Sequence, residues 1–170
     1  MAATKVTKGS SGAKSSFAQY RDGRATPEIR LTIHMVLTAR RWRSLLDERL
    51  RPIEQSSARM EAMSAILNSP PLRPQVDIAK RLRIEGPTLT RMLDALEKDN
   101  LVERLPDPSD RRTKQLKITP EGEQVLQQIF EIADELRARL LRGFSEEKLT
   151  EMNEFFAELL ARLDAGLPEE

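Results

Sequence analysis

The sequence predicts a mainly α-helical fold that carries one small β-hairpin. Three observations lead there. Apolar residues recur at helical spacing along most of the chain. Two short helical patterns follow one another with only "RIEG" between them. The stretch from residue 101 to 119 switches to the alternating period of short strands around a charged loop.

Taken in order, "MAATKVTKGSSGAKSSFAQYRDGRAT" is small, polar and rich in Ser, Gly and Lys, so residues 1–26 read as a flexible basic tail. Residues 27–170 read as a single domain. A long helix starts at Pro27, with Ile33, Val36, Leu37, Leu45, Leu46 and Leu50 on its apolar side, and Pro52 stops it. Ser56 or Ser57 caps a second helix carrying Met60, Met63, Ile66 and Leu67, and "NSPPLRP" ends it. In "PQVDIAKRL" the apolar positions are Val76, Ile78, Ala79 and Leu82. After the turn, Gly86 and Pro87 read as N-cap and first residue of "PTLTRMLDALEKDN". At about 100° per residue, Leu89, Met92, Leu93 and Leu96 share one face of that helix; Arg91 lies nearly opposite, with Thr88 and Thr90 on the flanks. Asn100 suits the helix C-terminus.

"LVERLP" and "TKQLKIT" read as the two strands of the hairpin, with Leu116 and Ile118 alternating against Gln115 and Lys117. Thr119-Pro120 restarts a helix as cap and first residue, with Val125, Leu126, Ile129, Ala133, Leu136 and Leu140 as its apolar set. Gly143 breaks it. Ser145 caps a last helix lined by Leu149, Met152, Phe155, Phe156, Leu159 and Leu163.

Composition narrows the function classes. Of 170 residues, 39% are hydrophobic and 32% charged, as in a globular domain. No apolar run approaches the roughly 20 residues that span a bilayer, and no signal-peptide core is present, so a membrane partner is not expected. Cysteine is absent, which excludes disulfides and thiolate chemistry and suits a cytoplasmic address. His34 is the lone histidine, no glycine-rich phosphate loop occurs, and the carboxylates of "EFFAE" sit on a helix with an apolar packing face. No catalytic residue, metal site or cofactor is therefore expected. Charge is uneven: residues 1–26 carry a net +4, residues 27–72 a net +2, residues 73–118 a net +3 and residues 119–170 a net −8. A basic front suggests a polyanion partner for the first two-thirds of the chain.

Two short helices around a tight turn, followed by a hairpin, describe a winged helix-turn-helix, here about residues 56–118, flanked by helices at about 28–51 and 120–165. A helix fits the DNA major groove, and an arginine at a hairpin tip suits a phosphate or a narrow minor groove. "IEGPTLTRMLDALEKD" followed by "LVERLPDPSDRRTKQLKIT" resembles the recognition helix and wing of MarR-family regulators, and "EGPTLTRMLD" is similar to their SlyA-like branch. The resemblance covers roughly residues 28–165.

The resemblance implies a homodimeric transcriptional regulator, usually a repressor, whose N- and C-terminal helices interlock in dimerisation and whose two lobes grip a palindromic operator in double-stranded DNA. By match to the motif, Thr88, Thr90 and Arg91 would face the major groove. Arg112 would enter the minor groove, oriented by Asp110, while Arg111 and Lys114 would hold phosphates. Arg40 matches a position that, in the SlyA-like branch, meets the carboxylate of a small aromatic or phenolic acid. Ala58, Met60 and Ser64 stand where bulkier or more polar pocket residues are expected. The rival reading is a winged helix that binds protein, which would expose apolar groups on the recognition helix.

Overall fold

The computed structural model describes residues 16–70, 73–107 and 114–166. Its elements run α1 (Ser16–Arg21), α2 (Pro27–Leu50), a 3-10 turn (Arg51–Ile53), α3 (Ser57–Leu67), β1 (Arg73–Pro74), α4 (Gln75–Leu82), α5 (Gly86–Lys98), β2 (Val102–Pro106), β3 (Lys114–Ile118), α6 (Pro120–Leu140) and α7 (Glu146–Ala165). Caps set the boundaries. Ser56 Oγ accepts from the Arg59 amide at 3.3 Å, Thr119 Oγ1 from Gly122 at 2.9 Å and Ser145 Oγ from Lys148 at 3.2 Å, each satisfying a donor that a helix start leaves free.

The chain divides into two compact units, with the boundary between Glu48 and Arg49, inside α2. In the first, α1 forms within the segment expected as tail, and a turn through Gly23, at φ 73°, leads towards α2. Thr26 Oγ1 accepts from the Ile29 amide at 3.4 Å near the start of α2. A hydrogen bond to Thr26 also holds the Glu28 carboxyl below its ordinary range. Leu31, Val36, Leu37 and His34 are exposed along α2.

In the second unit α3 packs against α4, α5, β3 and α6. Its core takes Ala62, Met63 and Ile66 from α3, Leu89, Leu93 and Leu96 from α5, and Leu126, Ile129 and Ala133 from α6. Each fully buried leucine or isoleucine contributes about 1.5–3 kcal/mol relative to an exposed one. Val102, Leu116 and Ile118 close the core from the sheet.

That sheet has three strands in the order β1-β3-β2, all antiparallel, where the sequence reading expected two. Arg73 pairs with Leu116 and Pro74 with Gln115, while β2 and β3 pair in register from Val102–Ile118 to Pro106–Lys114. β3 is thus central, and both Gln115 and Leu116 are buried, which departs from the strict alternation expected. Gln115 is satisfied there by donating from Nε2 to Asp107 Oδ2 at 2.8 Å.

Two further expectations change. Val76 stays 58% exposed, because α4 turns Ile78 and Ala79 inward instead. Gly86 is the first helical residue of α5 and Glu85 the cap, one position earlier than expected.

Candidate nucleic-acid interface

The turn between α4 and α5 is built from a left-handed residue at Arg83, with φ 52°. Its amide donates to Lys80 O at 3.1 Å, and that of Ile84 to Ala79 O at 3.1 Å, the paired bonds that end a helix abruptly. The Arg83 guanidinium is gripped by Asp164 near the end of α7, through Nε to Oδ1 at 2.9 Å and Nη2 to Oδ2. That contact holds the Asp164 carboxyl below the usual carboxylate range and raises the Arg83 pKa further. The turn is thereby tied to the C-terminal helix.

α5 leaves this turn with Leu89, Leu93 and Leu96 fully buried, which turns Thr88, Thr90 and Arg91 outward; all three are exposed. The guanidinium of Arg91 has no hydrogen-bond or ion-pair partner among the described residues. Asn100, at φ 57°, ends the helix as expected: its amide donates to Glu97 O at 3.0 Å, and that of Leu101 to Leu96 O at 2.9 Å.

Arg104, which the sequence reading passed over, braces α5 from β2. Its Nη1 lies 2.7 Å from Asp94 Oδ1 and 2.8 Å from Glu97 Oε2, and Nη2 donates to Thr90 O at 3.2 Å. Gln75, also passed over, donates from Nε2 to Thr90 Oγ1 at 2.7 Å, joining the start of α4 to α5. Gln75 sits at the very start of α4 and Arg104 mid-strand in β2, where sequence periodicity does not say which atoms of α5 they meet.

A cleft of about 550 Å³ opens beside these groups, bordered by Gln75, Lys80, Arg83, Gly86 and Lys114. Lys114 is exposed at the start of β3, on the hairpin arm nearest the tip. The arrangement places Lys80 and Lys114 on one concave surface close to the start of α5, beside Arg83, whose charge Asp164 offsets; the two lysines suit an anionic backbone. Asp110, Arg111 and Arg112 lie outside the described residues.

For the expected ligand pocket, Arg40 is exposed on α2, and Ala58, Met60 and Ser64 lie half-buried on α3. Met60 and Ser64 border a cleft of about 260 Å³ with Asn68, Arg81 and Leu82. Ser64 Oγ is buried without a hydrogen-bond partner among the described residues. No group of acidic or histidine side chains suited to a metal occurs among the described residues, and no described helix is long and apolar enough to cross a membrane.

Residues 56–114 match the sequence model of the MarR family. Among solved structures, the chain is similar to the transcriptional regulator PA3341 at 32% identity, covering 80% of this chain and 99% of that one, with a TM-score of 0.71. The apo form of wild-type MarR from E. coli is 29% identical over 79% of this chain and 97% of its own, with a TM-score of 0.65. A mutant of E. coli MarR complexed with operator DNA is 27% identical, covers 79% of this chain and 94% of its own, and gives a TM-score of 0.68.

Proposed function

The chain belongs to the MarR family, and from that premise we propose that it is a transcriptional regulator that binds double-stranded DNA in a sequence-specific way. The observation that carries this reading is the outward face of α5. Thr88, Thr90 and Arg91 are exposed together, Arg91 is without a partner among the described residues, and the cleft with Lys80 and Lys114 lies alongside. A protein-binding winged helix would carry apolar side chains on that face. The similarity to E. coli MarR, solved with operator DNA, supports the same reading.

In this reading Arg91 reads base edges and Lys114 holds a phosphate. Arg112 enters the minor groove with Asp110 orienting it, and Arg111 takes a neighbouring phosphate. The protein acts as a homodimer on a palindromic operator. Exposed apolar side chains on α2, Leu31, Val36 and Leu37, and separately on α7, Phe156, Leu160 and Leu163, support self-association. The default mode is repression. A small aromatic carboxylate releases the operator after binding near Arg40, Ala58, Met60 and Ser64, and the similarity of the "EGPTLTRMLD" form to the SlyA-like branch supports that reading.

Selection of bound fragments from genomic DNA, followed by gel shift across salt concentrations, tests the DNA reading. About 6–10 phosphate contacts per dimer lower affinity roughly 10³–10⁵-fold between 50 and 200 mM salt. Failure to retain any selected DNA at low salt sinks the proposal.

A further inference from the structure

The hydroxyl of Thr90 is already engaged within the chain. It donates to the carbonyl of Gly86, one turn earlier in α5, at 3.0 Å. Its oxygen accepts from Gln75 Nε2 at 2.7 Å. A hydroxyl has a single proton, so a Thr90 that donates to Gly86 has none left for an acceptor on a base edge such as guanine O6 or adenine N7. The oxygen cannot turn outward without breaking both bonds. Yet Thr90 is exposed on the outward face of α5, beside Arg91. With its proton on Gly86 and one of its two lone pairs on Gln75, the oxygen is folded back along the helix. That leaves the methyl group as the main part of the side chain to meet a partner, its direction fixed by the stiff β-branched torsion.

We propose that Thr90 reads its base pair through this methyl group, by apolar contact with the 5-methyl of thymine, and that Gln75 is the positioning residue that keeps the hydroxyl turned away. The inference rests on the DNA-binding reading above and specifies what one position of that surface recognises. In the major groove only thymine among the four bases presents a methyl, so the contact discriminates without a hydrogen bond. Arg91, adjacent and unpaired among the described residues, supplies the polar contact. The bond from Gln75 spans the helix-turn-helix, so the first residue of α4 sets the rotamer of a reading residue in α5. Gln75 itself is held on the rim of the basic cleft, next to Pro74.

The test uses the full-length protein and an operator selected from a random DNA pool. Thymines are replaced singly by uracil, which removes the 5-methyl and leaves every hydrogen-bonding group in place. The wild type is expected to lose about fourfold in affinity at one position per half-site, the effect of burying one methyl group. Thr90→Ser keeps the hydroxyl and loses the methyl, and should bind the thymine and uracil operators equally at that position. Thr90→Val keeps a methyl and should retain the preference. Gln75→Met removes one of the two bonds that hold the Thr90 oxygen and should lower the thymine-to-uracil ratio at that position alone.

A wild type indifferent to uracil at every position overturns the proposal. So does a Thr90→Ser variant with its thymine preference intact, or a Thr90→Val variant that has lost it. Either variant result would assign the reading to the hydroxyl. Gln75→Met with an unaltered ratio removes the positioning role. These outcomes all leave DNA binding standing, whereas a random pool that yields no bound sequence refutes DNA binding itself.

Discussion

Arg91 projects from α5 with no partner among the described residues, whereas Arg104 spends its guanidinium on Asp94, Glu97 and the carbonyl of Thr90 and is only 17% exposed at its side chain. The same residue type thus has two roles on one surface. Arg91→Ala should cost about 1–3 kcal/mol in operator binding and relax the preference at one base pair per half-site, with no change in melting temperature. Arg104→Ala should instead lower both. It removes the brace on α5, for about 1 kcal/mol of stability, and leaves two carboxylates uncompensated beside the DNA. Gel shift and thermal unfolding of the two variants separate the roles, and a stability-neutral Arg104→Ala would show that the brace is absent in solution. Thr90 extends the same point, since its oxygen serves the fold and leaves its methyl for recognition.

Among the elements, the start of α6 carries the tightest constraint. Thr119 donates to Leu101 O through its amide at 3.1 Å and to Asn100 O through its hydroxyl at 2.7 Å, which clamps the helix onto the chain entering β2. Gly122 lies in that clamp. A Cβ there would stand 2.0 Å from Leu101 O and 2.8 Å from Ile118 Cγ1. A glycine in the first turn of a helix usually weakens it, and here close approach of two backbones requires it. Gly122→Ala should therefore destabilise by about 2 kcal/mol or more in urea unfolding, although alanine is the better helix former. An unchanged midpoint would mean that α6 does not approach β2 this closely. The α4–α5 turn depends on a second long-range link, Arg83 to Asp164, which gives a non-glycine residue in the left-handed region a partner for its side chain.

At the scale of the whole molecule, charge is unevenly divided along the chain. The winged region, residues 73–118, has a net charge of +3, and residues 119–170 have a net −8. In the proposed complex DNA is attracted to the first and repelled by the second, so the acidic helices orient its approach. α7 buries none of its residues fully, and Phe156, Leu160 and Leu163 are 42%, 47% and 59% exposed. In the proposed homodimer that surface is covered by the second copy. Sedimentation equilibrium should give twice the chain mass of 19.4 kDa, and Phe156→Glu with Leu160→Glu should shift it to the monomer and weaken operator binding. A wild type sedimenting at the single-chain mass would refute the dimer.

Periodicity and caps were legible in the sequence because they are local. A 3.6-residue repeat states which face of α5 is buried, and Ser56, Thr119 and Ser145 announce where helices begin, whatever the rest of the chain does. The outward placement of Thr88, Thr90 and Arg91 followed from the same local rule. What tertiary structure decided are the encounters between distant segments. β1 adds to β3 and buries Gln115, Arg104 is taken up by α5, Gln75 holds Thr90, Gly122 meets Leu101, and Arg83 meets Asp164 from 81 positions away. Periodicity reports which side of an element is apolar, but not which atoms of another element will arrive there. That is why the sequence alone determined the candidate reading surface, while the packed chain decided which of its polar groups remain free to read.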